Sequence, residues 1–239
     1  MEEIYINKII PISTVDGIGA RVSIFTQGCN INCLYCHNPE TIKMNKEDLE
    51  VCTLYNAKTL FEHIKPYLIF TRGITVSGGE CMLHPNFLYE LFQLIKKEGK
   101  TCFVDSNGTI SFSKYKDLTS LIDGVLLDIK AWDKDVFYKL TGSLKNDSLI
   151  DNLTYLSETD KIQELRLVCI EDYVDVYRCI DGIKNTIPNK YENIPLKLIR
   201  FRNNGVIGEL ANHKSPDNKK MQEYLDYARS VGFKKIVIT

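Results

Sequence analysis

Short runs of apolar and β-branched residues alternate along the chain with amphipathic segments. The runs are continuous rather than alternating, which is typical of strands that are buried on both faces of a sheet. They predict strands at Arg21–Gln27, Ile74–Ser77, Thr101–Asp105, Gly124–Ile129, Glu164–Cys169, Leu196–Phe201 and Lys235–Thr239.

Three segments between these strands have the apolar spacing and the end signals of helices. The first is predicted to start at Pro85 and to end before Gly99. A second predicted helix covers residues 149–156, whose apolar positions form one stripe. A third is predicted to start at Ser215 and Pro216 and to end at Gly232. We interpret these stripes as core positions rather than as cofactor contacts.

Repeated strand–helix units indicate a parallel sheet joined by right-handed crossovers. About six such units predict an α/β fold, an open or partial (β/α)6 barrel rather than a closed barrel of eight strands. Because no repeat or low-complexity linker interrupts the pattern, we expect a single domain over residues 1–239. In such sheets the chemistry lies at the carboxyl ends of the strands, and the polar motifs of this chain fall there.

The composition limits the expected partners. Thirty basic and thirty-one acidic residues leave a net charge of −1, which gives no general attraction to nucleic acid or to an anionic membrane. The first residues are acidic, and no stretch approaches the roughly 20 apolar residues that cross a bilayer. We therefore expect a cytoplasmic protein that binds neither nucleic acid nor membrane.

Three of the eight cysteines, Cys29, Cys33 and Cys36, lie on one short segment after the first predicted strand, with the spacing C-x3-C-x2-C. Three thiolates on a tight loop form a soft site that suits iron–sulfur or zinc. A [4Fe–4S] cluster normally takes four thiolates, so three would leave one iron open. The alternative is a structural zinc site completed by His37, although structural zinc ligands usually come as two separated pairs.

This cysteine spacing after a first strand resembles the signature of the radical S-adenosylmethionine (SAM) enzymes. The resemblance implies that Cys29, Cys33 and Cys36 hold a [4Fe–4S] cluster whose open iron is chelated by SAM, with Tyr35 among the cofactor-binding residues. It also implies that one electron from the reduced cluster cleaves SAM to methionine and a 5′-deoxyadenosyl radical.

A second motif, Ser-Gly-Gly-Glu, ends the next predicted strand at Gly78, Gly79 and Glu80. Glycine lets the backbone approach a ligand closely, and a carboxylate accepts hydrogen bonds from an ammonium group. Alone, the motif is equally consistent with an ordinary glycine turn. It resembles the family's GGE motif, which implies that it binds the amino group of SAM.

Charged and polar residues stand at the ends of the following strands, at Asp105 and Ser106 and at Asp128 and Lys130, and Arg166 lies within the next strand. Alone, they are also explained by an Asx turn, a solvated ion pair and a strand-end arginine. They resemble residues of the glycyl radical enzyme activases. That resemblance implies that Asp105, Ser106 and Asp128 hold the SAM carboxylate and a monovalent cation. It gives Lys130 and Arg166 catalytic positions near SAM.

The motifs TVDGIG, CHNPE, SGGE, DSNG, LLDIK and LTG occur in the order that these activases use. The resemblance implies abstraction of a glycine α-hydrogen from a large glycyl radical enzyme under anaerobic conditions, with a flavodoxin- or ferredoxin-type electron donor. No ferredoxin-like insert is present, since Cys52 is the only cysteine between Cys36 and Cys81, so one cluster is expected. The Leu-Pro-Tyr-His run of pyruvate formate-lyase activases is replaced by 199–202, Ile-Arg-Phe-Arg, as in a less characterised activase branch.

Other functions remain open on the sequence. Within the radical SAM enzymes, the alternatives are a ribonucleotide reductase activase and an enzyme that acts on a small molecule or a peptide. A different class is a non-catalytic iron–sulfur or zinc-binding module. The SGGE and LLDIK motifs argue against that module, because a simple cluster carrier does not need residues that bind SAM.

Overall fold

The computed structural model describes residues 2–239 as a succession of strands and helices. The strands are β1 Glu3–Ser13, β2 Arg21–Thr26, β3 Thr53–Asn56, β4 Gly73–Gly78, β5 Thr101–Ser106, β6 Gly124–Ile129, β7 Ile162–Cys169, β8 Leu196–Arg200 and β9 Ile236–Ile238. The α-helices are α1 Lys46–Leu49, α2 Ala57–Leu68, α3 Pro85–Lys97, α4 Lys116–Leu121, α5 Lys134–Thr141, α6 Asn146–Glu158, α7 Val176–Thr186 and α8 Asn218–Ser230.

These elements fold into two compact units. The first consists of the chain up to Asn30, Glu40–Ser106 and Phe112–Leu126, and the second of Ile31–Pro39, Asn107–Ser111 and Leu127–Thr239. The expectation of one domain over residues 1–239 stays a prediction.

In the first unit, the strands lie in the order β3-β1-β2-β4-β5, followed by the start of β6. β1 is antiparallel to β2 and to β3, whereas β2, β4 and β5 run parallel. Val22, Ile24, Ile74 and Val76 are fully buried, because helices cover the sheet as the continuous apolar runs predict.

In the second unit, the end of β6 is followed by β7, β8 and β9, and the last three strands are parallel. Local sequence signals set the helices between them. The Asp133 carboxylate caps α5 by accepting from the N–H of Asp135, and Gly142 ends that helix in the left-handed conformation with φ 69°.

All seven predicted strands are present within two residues of their predicted ends, and the α/β class with a largely parallel sheet is confirmed. The three predicted helices correspond to α3, α6 and α8. The sequence analysis missed β1 and β3, which pair antiparallel at one side of the first unit's sheet. Within residues 2–239, no helix is long and apolar enough to cross a membrane.

Candidate cofactor and metal site

The cysteine segment begins three residues after β2. Cys29, Cys33 and Cys36 are half-buried, and none of the cysteines in residues 2–239 forms a disulfide. The N–H of Cys36 donates to the carbonyl of Cys33 at 3.1 Å, which makes the second half of the segment a tight turn. Burial raises the pKa of the Cys33 thiol to about 11, and the ammonium of Lys130 acts in the opposite direction.

The middle of the cysteine segment is attached to the carboxyl end of α5. The N–H of Asn32 donates to the carbonyl of Thr141 at 2.8 Å, and the N–H of Leu34 donates to the carbonyl of Leu140 at 2.9 Å. The last carbonyls of a helix have no partner within the helix, so they are available to accept from a neighbouring segment. The Leu-Thr-Gly motif of 140–142 therefore serves as a support for the backbone on either side of Cys33.

Two glycines bring the end of β4 against the backbone that leads into Cys29. Gly78 has φ +116°, and a Cβ on it would lie 2.1 Å from the backbone nitrogen of Thr26. A Cβ on Gly79 would lie 1.9 Å from the carbonyl oxygen of Gly28. The next residue, Glu80, donates its N–H to that same carbonyl at 2.9 Å. Glycine is therefore required at both positions for this close approach.

The carboxylate of Glu80 is buried, with 1 % of the residue exposed, and it is held in one orientation. Its Oε1 accepts from the N–H of Met82 and from the hydroxyl of Ser106, each at 3.0 Å. Beside it, the hydroxyl of Ser77 donates to Oδ2 of Asp105 at 3.0 Å. The structure thus brings Glu80, Asp105 and Ser106 together at the carboxyl ends of β4 and β5.

Asp128 and Lys130 form an ion pair at the end of β6, with Nζ of Lys130 at 2.7 Å from Oδ2 of Asp128. The ring of Tyr35, which is 5 % exposed, lies with its centroid 5.5 Å from that ammonium. Burial acts to lower the pKa of Lys130, but Asp128, Tyr35 and Cys33 together raise it well above its ordinary value. Burial also raises the pKa of Tyr35, so both groups keep their protons at neutral pH.

Arg166 in β7 has the anionic partner that its apolar surroundings require. Its Nε donates to Oε1 of Glu164 at 2.7 Å, and Nζ of Lys197 lies 3.9 Å from the same oxygen. Arg166 and Lys197 therefore both contact the carboxylate of Glu164. The sequence analysis missed Lys197, although a lone cation in an apolar strand is the same signal that drew attention to Arg166.

Among residues 2–239, no three His, Cys, Asp or Glu side chains are grouped so as to hold a metal ion. The chemistry of the cysteine segment still fits an iron–sulfur cluster, because three half-buried thiols within eight residues form a soft donor set. The assignment of Cys29, Cys33 and Cys36 as ligands, and of a cation site near Asp105, Ser106 and Asp128, stays a prediction.

Comparison with known proteins shows what this chain is similar to. The model of the radical SAM superfamily matches residues 23–177. The chain is similar to a Haemophilus influenzae protein named as a candidate glycyl-radical enzyme activating enzyme, with 33 % identity over 99 % of this chain and 98 % of that protein. It is also similar to the pyruvate formate-lyase-activating enzyme of Staphylococcus epidermidis, with 33 % identity over 98 % of both chains.

Among solved structures, QueE from Escherichia coli superimposes with a TM-score of 0.61 over 99 % of this chain and 94 % of that one. The two sequences are 12 % identical, so this likeness concerns the fold alone. It supports the α/β architecture predicted from the alternation of strands and helices.

Proposed function

We propose the following function on the premise that the chain belongs to the radical SAM superfamily and, within it, to the glycyl radical enzyme activating enzymes. As such it is an enzyme that uses a [4Fe–4S] cluster and SAM, and it has the partial (β/α)6 fold of the superfamily. Its substrate is a glycine in a large partner protein. When bound, the cluster and SAM supply the one-electron chemistry that removes a hydrogen atom from the glycine Cα, with methionine and 5′-deoxyadenosine as products.

One observation carries the assignment of the site. Glu80 donates its backbone N–H to the carbonyl of Gly28, the residue before Cys29, at 2.9 Å. The proposed first cluster ligand and the proposed SAM-binding glutamate are therefore fixed to one another through a single backbone contact. Cys29, Cys33 and Cys36 would hold the cluster, and an iron-bound SAM would lie within reach of the Glu80 segment.

The other residues are assigned by their chemistry. Glu80 would accept from the amino group of SAM, and because its carboxylate is already oriented by Met82 and Ser106, binding would cost little side-chain entropy. Gly78 and Gly79 would provide backbone contacts. Asp105 and Ser106 would bind the SAM carboxylate through a monovalent cation.

In the second unit, Asp128 would be a further residue for the SAM carboxylate and the monovalent cation. Lys130 would hold an anionic group while paired with Asp128, since its ammonium stays charged. Tyr35, held in place by burial, would contact the cofactor. Arg166, whose guanidinium is oriented by its bond to Glu164, would offer a positive charge to the SAM carboxylate.

The partner would present its glycine on an extended peptide, because the Cα–H bond must come next to the reacting carbon of SAM. A flavodoxin- or ferredoxin-type protein would supply the electron. We place the reaction in the cytoplasm, where thiols stay reduced, and under anaerobic conditions, which protect the cluster and the glycyl radical.

The test is an anaerobic assay of the reconstituted and reduced protein with SAM and a glycyl radical protein encoded in the same genome. We expect 5′-deoxyadenosine and an electron paramagnetic resonance (EPR) signal of a glycyl radical on the partner. A matched control replaces the partner's glycine by alanine, which should remove the radical signal. Equal 5′-deoxyadenosine formation with a small metabolite and no partner would contradict the assignment.

A further inference from the structure

Four successive carbonyl groups, those of residues 40–43, all accept hydrogen bonds from residues 27–29. The backbone N–H groups of Gly28 and Cys29 donate to the carbonyls of Thr41 and Ile42, at 2.8 and 3.0 Å. The side-chain amide of Gln27 donates to the two outer carbonyls, those of Glu40 at 2.7 Å and Lys43 at 2.6 Å. We call this set of four hydrogen bonds the 27–29/40–43 clamp.

The side chain of Gln27 is fully buried and has a partner on both sides of its amide. While Nε2 donates to the two carbonyls, Oε1 accepts from Nδ2 of Asn7 at 2.9 Å and from the thiol of Cys52 at 3.4 Å. This pattern fixes the orientation of the amide, because reversing it would place the oxygen against two carbonyls. A buried glutamine with two donated bonds to one neighbouring segment holds that segment in place.

The clamp lies where the segment of residues 30–39, which carries Cys33 and Cys36, leaves the end of β2 and returns. A loop whose ends are tied together has less conformational freedom than an open chain, so its side chains reach a common ligand at lower entropic cost. Since Cys29 itself belongs to the clamp, the backbone of the first proposed ligand is held directly.

We propose that Gln27 is a positioning residue that closes the base of the cysteine loop. It thereby holds the backbone of Cys29, the first proposed cluster ligand, and limits the conformational freedom of the segment that carries Cys33 and Cys36. The inference rests on the proposed function for the cluster, but the clamp exists in the protein without it. The Gln27 amide is engaged by protein groups at both ends, so it would act through the 40–43 backbone that accepts from Cys29 rather than on substrate or cofactor. Its loss therefore affects the retention of the cluster more than the identity of the reaction.

The first measurement uses the cluster-free protein. In Gln27→Met, which keeps the length of the side chain and removes both donors, we expect amide hydrogen exchange at Gly28 and Cys29 to be about tenfold faster or more. Amides of β7, in the other compact unit, serve as the internal reference and should be unchanged. Gln93→Met, the same substitution at an exposed position of α3, is the matched control.

The second measurement uses the reconstituted protein and follows the release of iron to a chelator. We expect release about tenfold faster in Gln27→Met than in the wild type or in Gln93→Met. If Gln27→Met does not fold, Asn7→Ala removes one bond on the acceptor side of the amide, and a rise of about threefold in both rates is expected.

The inference would be overturned if amide hydrogen exchange at Gly28 and Cys29 were as slow in Gln27→Met and in Asn7→Ala as in the wild type. It would also be overturned if exchange were faster in these variants but the release of iron were unchanged. A wild-type protein that binds no iron would instead contradict the proposed function, while the exchange data would still decide whether Gln27 holds the loop. The two failures are therefore distinguishable.

Discussion

The ammonium of Lys130 lies 2.7 Å from the carboxylate of Asp128, and 12 % of the lysine side chain is exposed. Removing one partner of a buried pair leaves the other charge without compensation. Asp128→Asn should therefore lower the free energy of unfolding by about 2–3 kcal/mol, somewhat less than for a fully buried pair because Asp128 is 28 % exposed. Urea denaturation of the cluster-free protein measures this. The double variant Asp128→Asn with Lys130→Met should lose less than the sum of the single variants.

The raised pKa of Lys130 determines how its contribution to the free energy of unfolding depends on pH. A cation whose pKa is higher in the folded than in the unfolded state stabilises the protein below its unfolded pKa of 10.5. That contribution is lost only as the pH rises through the folded-state pKa. The difference in the free energy of unfolding between the wild type and Lys130→Met should thus be the same at about pH 6 as at about pH 8. Both pH values lie below the unfolded-state and the folded-state pKa of Lys130. A difference that changes across this range would mean that the lysine titrates there.

A substitution at Gly79 tests whether the close approach of the SGGE motif to the cysteine segment is required for the cluster. Gly79→Ala would place a Cβ 1.9 Å from the carbonyl oxygen of Gly28, so the two backbones must separate. We expect loss of iron binding and a fall of about 3 kcal/mol or more in the free energy of unfolding.

Gly99→Ala is the matched control, because its added Cβ meets nothing within 4 Å and only its φ of +68° is unfavourable. That variant should lose about 1 kcal/mol and keep its iron. Equal iron content in Gly79→Ala and Gly99→Ala would show that the contact with Gly28 is not required for the cluster.

The strands of the parallel sheet could be predicted because burial on both faces leaves a continuous apolar run, as in Gly124–Ile129, which is correct at both ends. β1 was missed although Ile4 and Ile6 are buried, because it also contains Pro11, a residue that disfavours strands. The short β3 was missed because its first residues are exposed. Such antiparallel partners depend on tertiary pairing more than on local pattern.

The motifs predicted which residues gather, but not what each one contacts. Glu80, Asp105 and Ser106 lie together as the order of the strands suggests. The Glu164 partner of Arg166 lies two residues away in the same strand, yet the sequence does not indicate which carboxylate pairs with it. Gln27 ends the first predicted strand, two residues before Cys29, but its role depends on carbonyls that the fold brings to it.

The three proposed ligands can be compared with other thiols of the same chain. Cys29→Ala, Cys33→Ala and Cys36→Ala should each abolish cluster binding and SAM cleavage, because three thiolates are the minimum that this segment offers. Cys179→Ala, at a buried position in α7, should retain iron with only a modest loss of stability. Iron analysis and EPR of the reduced protein measure this, and full iron content in any of the three would contradict the cluster assignment.

The effect of Arg166 on SAM binding can be distinguished from that of the neighbouring Lys197 by comparing two variants. Arg166→Gln should raise the KM for SAM by about tenfold or more, because the charged hydrogen bond that we propose between Arg166 and the SAM carboxylate would be lost. Lys197→Gln keeps the bond of 2.7 Å between Arg166 and Glu164 and should change the KM much less. Equal KM values for SAM in the two variants would indicate that Arg166 serves the ion pair rather than the cofactor.

The activase function is tested most directly by the anaerobic reaction of the reconstituted, reduced protein with SAM and its glycyl radical partner, followed by EPR and by assay of 5′-deoxyadenosine. We expect a reduced [4Fe–4S] signal that changes when SAM is added, and then a glycyl radical on the partner together with 5′-deoxyadenosine. Stoichiometric zinc in place of iron, or a cluster that is indifferent to SAM, would contradict it.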